Sequence, residues 1–335
     1  MNLEERIKSL ATLKKVWLDN DFDKSTIYQL ANQQNNWFTN SSINSAIASA
    51  FSFLEQDTLE NWLHGYNIPE SSEKKVGVIM AGNIPLVGFH DWLCVLLSGK
   101  ILYAKLSSQD QILLRAISEK LIEIEPRWST KILFVDRLNE VDAIIATGSN
   151  NSARYFQYYF SKKPHIIRKN RVSVAILDGL ESPEEIIALG KDVFTYFGLG
   201  CRNVSKLFVP KGFEVAHVYS HWEEFAGVQD NHKYKNNYDY QRSMYLINQT
   251  AHFDNNFLIM KESKEMYSPI GVLYFEYYEN IASLSLILEG ERDNIQAIVA
   301  KKGILENTIY FGEAQTPFVS NYADGIDTIE FLNQL

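Results

Sequence analysis

Cysteine is scarce in this 335-residue chain, which has only Cys94 and Cys201. Two thiols are too few for a disulfide framework or a thiolate zinc site, so each is judged alone, in a reducing compartment. A clustered Lys/Arg stripe is also missing, and the formal net charge is -9. Nucleic acid and membrane surfaces both attract concentrated positive charge, so neither is an expected partner. No uninterrupted apolar run spans a bilayer, because the most apolar stretch, 76–97, contains Asn83, Pro85, His90 and Asp91. The opening MNLEERIKSL carries acid where a signal peptide carries positive charge, so the expected location is the cytoplasm. A GxGxxG fingerprint is absent, which counts against an ordinary Rossmann dehydrogenase. His217 and His221 stand four apart, but no Glu completes an HExxH pattern and no third ligand is evident; no metal is expected.

What remains is an ordinary globular composition, 46% hydrophobic and 22% charged, rich in Phe (19) and Tyr (18). The length exceeds what one hydrophobic core usually serves, so two lobes are expected. Residues 1 to about 70 read as helical, with apolar spacings of three and four through Ile43 to Leu63 and a turn at Asn67-Ile68-Pro69. From Lys75 onward short apolar runs alternate with amphipathic stretches: VGVIMAG, a helix through Trp92 and Leu97, ILYAKL, a helix from Gln109 to Glu123, KILFVD and AIIATG. That alternation predicts a parallel sheet wrapped by helices. Ser182-Pro183-Glu184-Glu185 reads as a capping box opening a helix to about Tyr196. Beyond it, NNFLIM, VLYFEYY, SLSLILE and NTIYFG read as strands, and Phe213 to Phe225 and Arg292 to Lys301 as helices. The expected division is 1–178, a helical segment plus one lobe, and 179–335, the lobe carrying Cys201.

Cys201 lies in Phe197-Gly198-Leu199-Gly200-Cys201, a glycine-rich turn between that helix and the strand-like NVSKLFVP. Backbone can approach a ligand closely there, and turn amides with neighbouring Arg202 favour the nucleophilic thiolate over its usual pKa of roughly 8.5. A buried, inert thiol is the competing reading, and it fits Cys94, inside WLCVLL, better. Taken alone, Asn83 is a turn residue before Pro85, Lys105 a solvated strand-end lysine, Gly148-Ser149 a helix cap, and Glu265 a solvated carboxylate. The aromatic run Tyr155, Phe156, Tyr158, Tyr159 and Phe160 reads most simply as helix core.

Several separated segments change these readings, because in order they resemble the aldehyde dehydrogenase superfamily. GLGCRNVSKLFVP resembles its nucleophile loop, and GVIMAGNIPLVG the loop whose side-chain amide, here Asn83, completes an oxyanion hole. SGKILYAKLSS resembles the strand whose Lys, here Lys105, contacts the cofactor ribose, with Ser107 following. IIATGSNNSARYF resembles the turn that places Gly148 and Ser149 beside the cofactor pyrophosphate, and EMYSPIG the segment whose Glu, here Glu265, places the nicotinamide ribose. Within the superfamily the chain is similar to acyl-CoA reductases of the bioluminescence fatty-acid reductase type and their shorter bacterial relatives, including the ending FGEAQTPFVSNYADGIDTIEFL.

The resemblance implies an α/β fold of two lobes, each with an open, mainly parallel sheet flanked by helices, and an active-site cleft between them. It implies reduction of an acyl-CoA or acyl-carrier thioester to an aldehyde through an acyl group on Cys201, with NADPH favoured over NADH because Ser107 and Ser108 follow Lys105 without a carboxylate. A homo-oligomer or an acyl-transferring partner enzyme is compatible with it. Relatives that hydrolyse their acyl-enzyme carry a water-activating Glu ahead of the cysteine; HIIRKNRVSVAILDG has no carboxylate between His165 and Ala175. A short-chain acylating aldehyde dehydrogenase and a non-catalytic scaffold or CoA-binding protein are the alternatives.

Overall fold

A computed structural model describes residues 1–19 and 23–335. The chain forms two compact units, Met1–Asn170 with Phe318–Leu335, and Arg171–Pro317.

The first unit begins with helices α1 (Leu3–Leu18), α2 (Ser25–Gln34), α3 (Asn40–Ser52) and α4 (Gln56–Leu63). There follow β1 (Lys75–Ile79), α5 (Phe89–Leu97), β2 (Ile101–Lys105), α6 (Leu113–Ile124), β3 (Ile132–Phe134), β4 (Ala143–Thr147), α7 (Asn150–Phe160) and β5 (His165–Arg168). The strands form an all-parallel sheet in the order β3-β2-β1-β4-β5. Its central strands are apolar because helices cover both faces, as in β4, where Ala143 to Ala146 are all buried. In α5 even Asp91 is buried, and burial of a charge demands a partner. Arg168 supplies it, with Nη1 at 2.5 Å from Asp91 Oδ2 and Nη2 donating to Thr328 Oγ1 at 3.1 Å. Burial alone would lower the guanidinium's pKa; the charge and hydrogen bond of Asp91 raise it instead.

The second unit contains β6 (Val172–Ile176), α8 (Pro183–Phe194), β7 (Val204–Pro210), α9 (His232–Ile247), β8 (Phe253–Asp254), β9 (Ile259–Glu262), β10 (Val272–Tyr278), α10 (Ile281–Gly290) and β11 (Ile295–Ala300). Its six-stranded sheet runs β11-β6-β7-β10-β9-β8 and is parallel except for the β8–β9 pair. One face packs Leu207, Val209 and Phe275 against Ile186, Leu189, Val193 and Trp222. The other packs Val174, Ile176 and Phe208 against Leu284 and Leu288 of α10. The last helix, α11 (Thr328–Asn333), belongs to the first unit and packs on α5. There Trp62 Nε1 donates to Tyr322 Oη at 3.0 Å, and Tyr66 Oη to Asp327 Oδ2 at 2.5 Å.

Several expected elements change type. SLSLILE is helix α10, capped by Asn280, and residues 295–300 are the edge strand β11. Residues 215–221 and 223–230 are 3₁₀ segments instead of one α-helix. NTIYFG forms only an isolated bridge, Ile309 to Val299. The Ser182 capping box, by contrast, is present with both reciprocal hydrogen bonds.

Candidate active site

In the first unit the proposed oxyanion-hole residue and the proposed cofactor residues all lie at the same end of the sheet. Asn83 follows β1, Lys105 ends β2 with Ser107 just beyond, and Gly148-Ser149 follow β4. These are carboxyl ends of neighbouring parallel strands, and the order β3-β2-β1-β4-β5 reverses direction between β1 and β4, where open α/β sheets bind ligands. Ser149 caps α7, its hydroxyl accepting from Ser152 N at 3.2 Å, so the helix start presents backbone N–H groups suited to an anion. Gly148 allows that start to lie close, because a Cβ there would fall 2.8 Å from Ser152 Cβ. Gly82 likewise lets the β1 loop press on the β2 loop: a Cβ there would lie 2.7 Å from Ser107 Oγ. Lys105 is exposed.

Three residues that the sequence reading passed over or left aside hold these loops. Asn35, buried at the end of α2, donates to Gly82 O at 3.2 Å and so fixes the peptide that leads into Asn83. Its neighbour Gln34 donates to Ser108 O at 3.1 Å and accepts from Gln111 N at 3.0 Å. Asp110 accepts from Leu86 N at 2.9 Å, and Leu86 holds a left-handed φ of 62° within the Asn83 loop. Burial pushes the Asp110 carboxyl up to about 6, against the lowering effect of its backbone hydrogen bonds from Leu86 and Leu113. Short polar side chains bonding to distant backbone have no periodic signature, so only the fold reveals them.

Exposure separates the two thiols. Cys94 is fully buried, and burial pushes its thiol well above the ordinary range, whereas Cys201 is exposed. Cys201 follows a left-handed run, Tyr196, Phe197 and Gly198, at φ 53°, 59° and 77°. For the two aromatics this backbone costs roughly 1–2 kcal/mol per residue and persists only where its surroundings enforce it. Asn203, only 2% exposed, supplies much of that enforcement. Its Oδ1 accepts from Gly200 N at 2.8 Å, and its Nδ2 lies at 3.0, 3.3 and 2.6 Å from the carbonyls of Asp192 and Val193 in the last turn of α8 and of Thr195 at its C-cap. Asn203 N also donates to Gly200 O at 3.0 Å, making Gly200–Asn203 a closed turn with Cys201 in it. Ser173 Oγ donates to Cys201 O at 3.0 Å. Arg202 is coupled electrostatically to the thiol: burial lowers its pKa and the Cys201 charge opposes that shift.

Glu265 lies on the irregular loop joining the parallel strands β9 and β10 and is exposed. Without a crossover helix, the loop's carbonyls need other partners. Ser205 Oγ donates to Met266 O at 2.6 Å, and Lys206, completely buried, donates to Lys264 O at 3.0 Å while pairing with Glu276 at 2.5 Å. Cys201 and the Glu265 loop are therefore both tied to the start of β7. Among the described residues no group of three or more His, Cys, Asp or Glu is arranged to hold a metal; the Nε2 atoms of His217 and His221 are 3.4 Å apart. The aromatic run of α7 divides: Phe156 and Phe160 pack onto β4, while Tyr155, Tyr158 and Tyr159 are exposed.

The profile of a family described as Acyl-CoA reductase (LuxC) matches residues 1–220. Among solved structures, aldehyde dehydrogenase 21 from Physcomitrella patens, in complex with its product succinate, superposes with TM-score 0.72 at 14% identity, covering 100% of this chain and 84% of that one. The NAD+ complex of an aldehyde dehydrogenase from Bacillus cereus gives 0.65 at 14%, covering 90% and 72%. That of Mycobacterium tuberculosis aldehyde dehydrogenase gives 0.65 at 13%, covering 90% and 74%. At such identities the likeness shows the fold, which is that of the aldehyde dehydrogenases. No curated protein matches the sequence.

Proposed function

Because the chain belongs to the acyl-CoA reductase (LuxC) family, we propose that it reduces a fatty acyl thioester to the aldehyde, with Cys201 as nucleophile. At family level the activity is nicotinamide-dependent acyl reduction. The observation that carries the finer reading is Cys201 itself, an exposed thiol on a turn whose peptide planes are fixed by buried hydrogen bonds.

The Cys201 thiolate attacks the thioester carbonyl carbon, and the carbonyl π electrons move to oxygen. The Asn83 amide and the Cys201 N–H stabilise that oxyanion, each such donor typically being worth on the order of 10²–10³ in turnover. Collapse re-forms the carbonyl, expels the CoA thiolate and leaves the acyl group on Cys201. When bound, the reduced nicotinamide supplies a hydride to that carbonyl carbon. The resulting oxyanion collapses, its electron pair re-forming the carbonyl as the carbon–sulfur pair leaves on sulfur, so that the aldehyde departs and the Cys201 thiolate is restored. The carboxyl ends of the first unit's strands carry residues suited to such a dinucleotide, Ser149 at the α7 N-terminus for the pyrophosphate, Gly148 giving it room, and Lys105 and Ser107 for the ribose; the resemblance assigns the nicotinamide ribose to Glu265 of the second unit.

Two features favour reduction over hydrolysis and NADPH over NADH. No carboxylate lies between His165 and Ala175. General-base assistance is typically worth ~10²–10⁴ in rate, so without it the acyl-enzyme outlasts water and meets hydride. After Lys105 the first carboxylate is Asp110, which is buried and bonded to Leu86 N instead of exposed for a ribose 2'-hydroxyl. The test is labelling with radiolabelled long-chain acyl-CoA. Stoichiometric label, lost in Cys201→Ala and chased into aldehyde by NADPH more efficiently than by NADH, supports the reading. Label chased only into free acid indicates a hydrolytic enzyme, and no label favours a scaffold.

A further inference from the structure

We infer that Asn203 is a positioning residue that fixes the direction of the Cys201 N–H, the backbone donor of the oxyanion hole. The inference rests on the proposed role of Cys201 and adds a residue that acts through it. A peptide unit is planar, so the Gly200 carbonyl and the Cys201 N–H belong to one rigid plane and point in opposite directions. Asn203 N donates to Gly200 O at 3.0 Å, and that single bond sets the plane's rotation. The preceding plane, which carries Gly200 N–H, is held by Asn203 Oδ1 at 2.8 Å. Gly200 is thus clamped on both sides by one residue.

The clamp is anchored in turn. Nδ2 of Asn203 lies within hydrogen-bond reach of the carbonyls of Asp192, Val193 and Thr195 at the end of α8. Asn203 O accepts from Ser173 N at 3.2 Å, on β6. A rigid helix end and a central strand therefore converge on one buried amide. Asparagine suits the position because it both accepts and donates: aspartate keeps the acceptor for Gly200 but brings no donor to the helix carbonyls, and alanine brings neither.

The test separates the direction of the N–H from the reactivity of the sulfur. Alkylation by iodoacetamide is a displacement at saturated carbon with no oxyanion, whereas acylation from acyl-CoA passes through one. Both rates at Cys201 are measured in the whole protein for wild type, Asn203→Ala and Asn203→Asp. The expected result is an acylation rate reduced about 10- to 100-fold, in keeping with partial loss of one oxyanion donor. Alkylation should stay within about threefold of wild type. Equal losses in both reactions, or none in either, would overturn the inference while leaving Cys201 as the nucleophile. A wild-type chain that alkylates at Cys201 but never takes an acyl group would bring down the functional reading, and the inference with it. Should the alanine variant fail to fold, the aspartate variant, of the same size and shape, gives the same ratio.

Discussion

At the residue scale, environment decides which groups react. Cys94 is sealed in α5 with its thiol pushed up by burial, while Cys201 is exposed. A limiting alkylating reagent at neutral pH should therefore modify one thiol per chain, and Cys201→Ala should abolish that labelling in mass spectrometry of the intact protein. Asn83 forms no covalent bond in the proposed reaction, so Asn83→Ala should slow acylation by about 10²–10³ with little effect on acyl-CoA binding. Asp110 and Asp192 are both buried carboxyls pushed up to about 6 from an ordinary 3.8. Asp192 receives Gly312 N at 2.6 Å and Ala314 N at 3.0 Å, but desolvation outweighs those donors. A raised acid binds its proton more tightly in the folded chain. The resulting stabilisation is fully present below pH 3.8 and lost as pH rises through about 6, on the order of 3 kcal/mol per group. Urea unfolding between pH 4 and 7 should show this falling component, and Asp110→Asn and Asp192→Asn should each flatten it.

At the element scale, the legible parts were those whose signals are local. The parallel core of the first unit could be read because apolar strands alternate with amphipathic helices, and the α8 capping box was explicit in Ser182 and Glu185. Ser182→Ala should cost about 1 kcal/mol and lower the unfolding temperature measurably in calorimetry. SLSLILE misleads because its apolar and polar residues alternate like a strand, whereas burial follows Leu284 and Leu288, four apart, and leaves Leu286 78% exposed. Residues 295–300 form a strand only because β6 offers an edge to pair with. Helix α9 escaped notice because tyrosines make its buried face, with Tyr234, Tyr238 and Tyr245 set among lysines and asparagines. For the site, the cysteine and the glycine turns were visible as motifs. The groups that hold them, Asn35, Asp110, Asn203 and Lys206, act through contacts distant in the chain or in three dimensions and left no pattern.

At the scale of the whole molecule, the buried pair of Asp91 and Arg168 joins α5 and β5 to the final helix through Thr328. Among the described residues Asp91 Oδ1 and Arg168 Nε have no hydrogen-bond partner, so the pair is incompletely solvated by its surroundings. Arg168→Met should cost about 3–5 kcal/mol in chemical denaturation, because it strands the Asp91 charge. The double variant Asp91→Leu with Arg168→Met should recover most of that loss, since an apolar pair carries no desolvation penalty. Return of residues 318–335 to the first unit rests on such distant pairs, Trp62 with Tyr322 and Tyr66 with Asp327 among them.

That return imposes an order on biosynthesis. A ribosome delivers residues 171–317 as one uninterrupted stretch, so the second unit can close on itself as soon as it clears the exit tunnel. The first unit, although begun earlier, must wait for residues 318–335 before Arg168 meets Thr328 and Trp62 meets Tyr322. The half begun first is thus finished after the second, and translation that stops just ahead of residue 318 leaves a completed second unit attached to an unsealed first one.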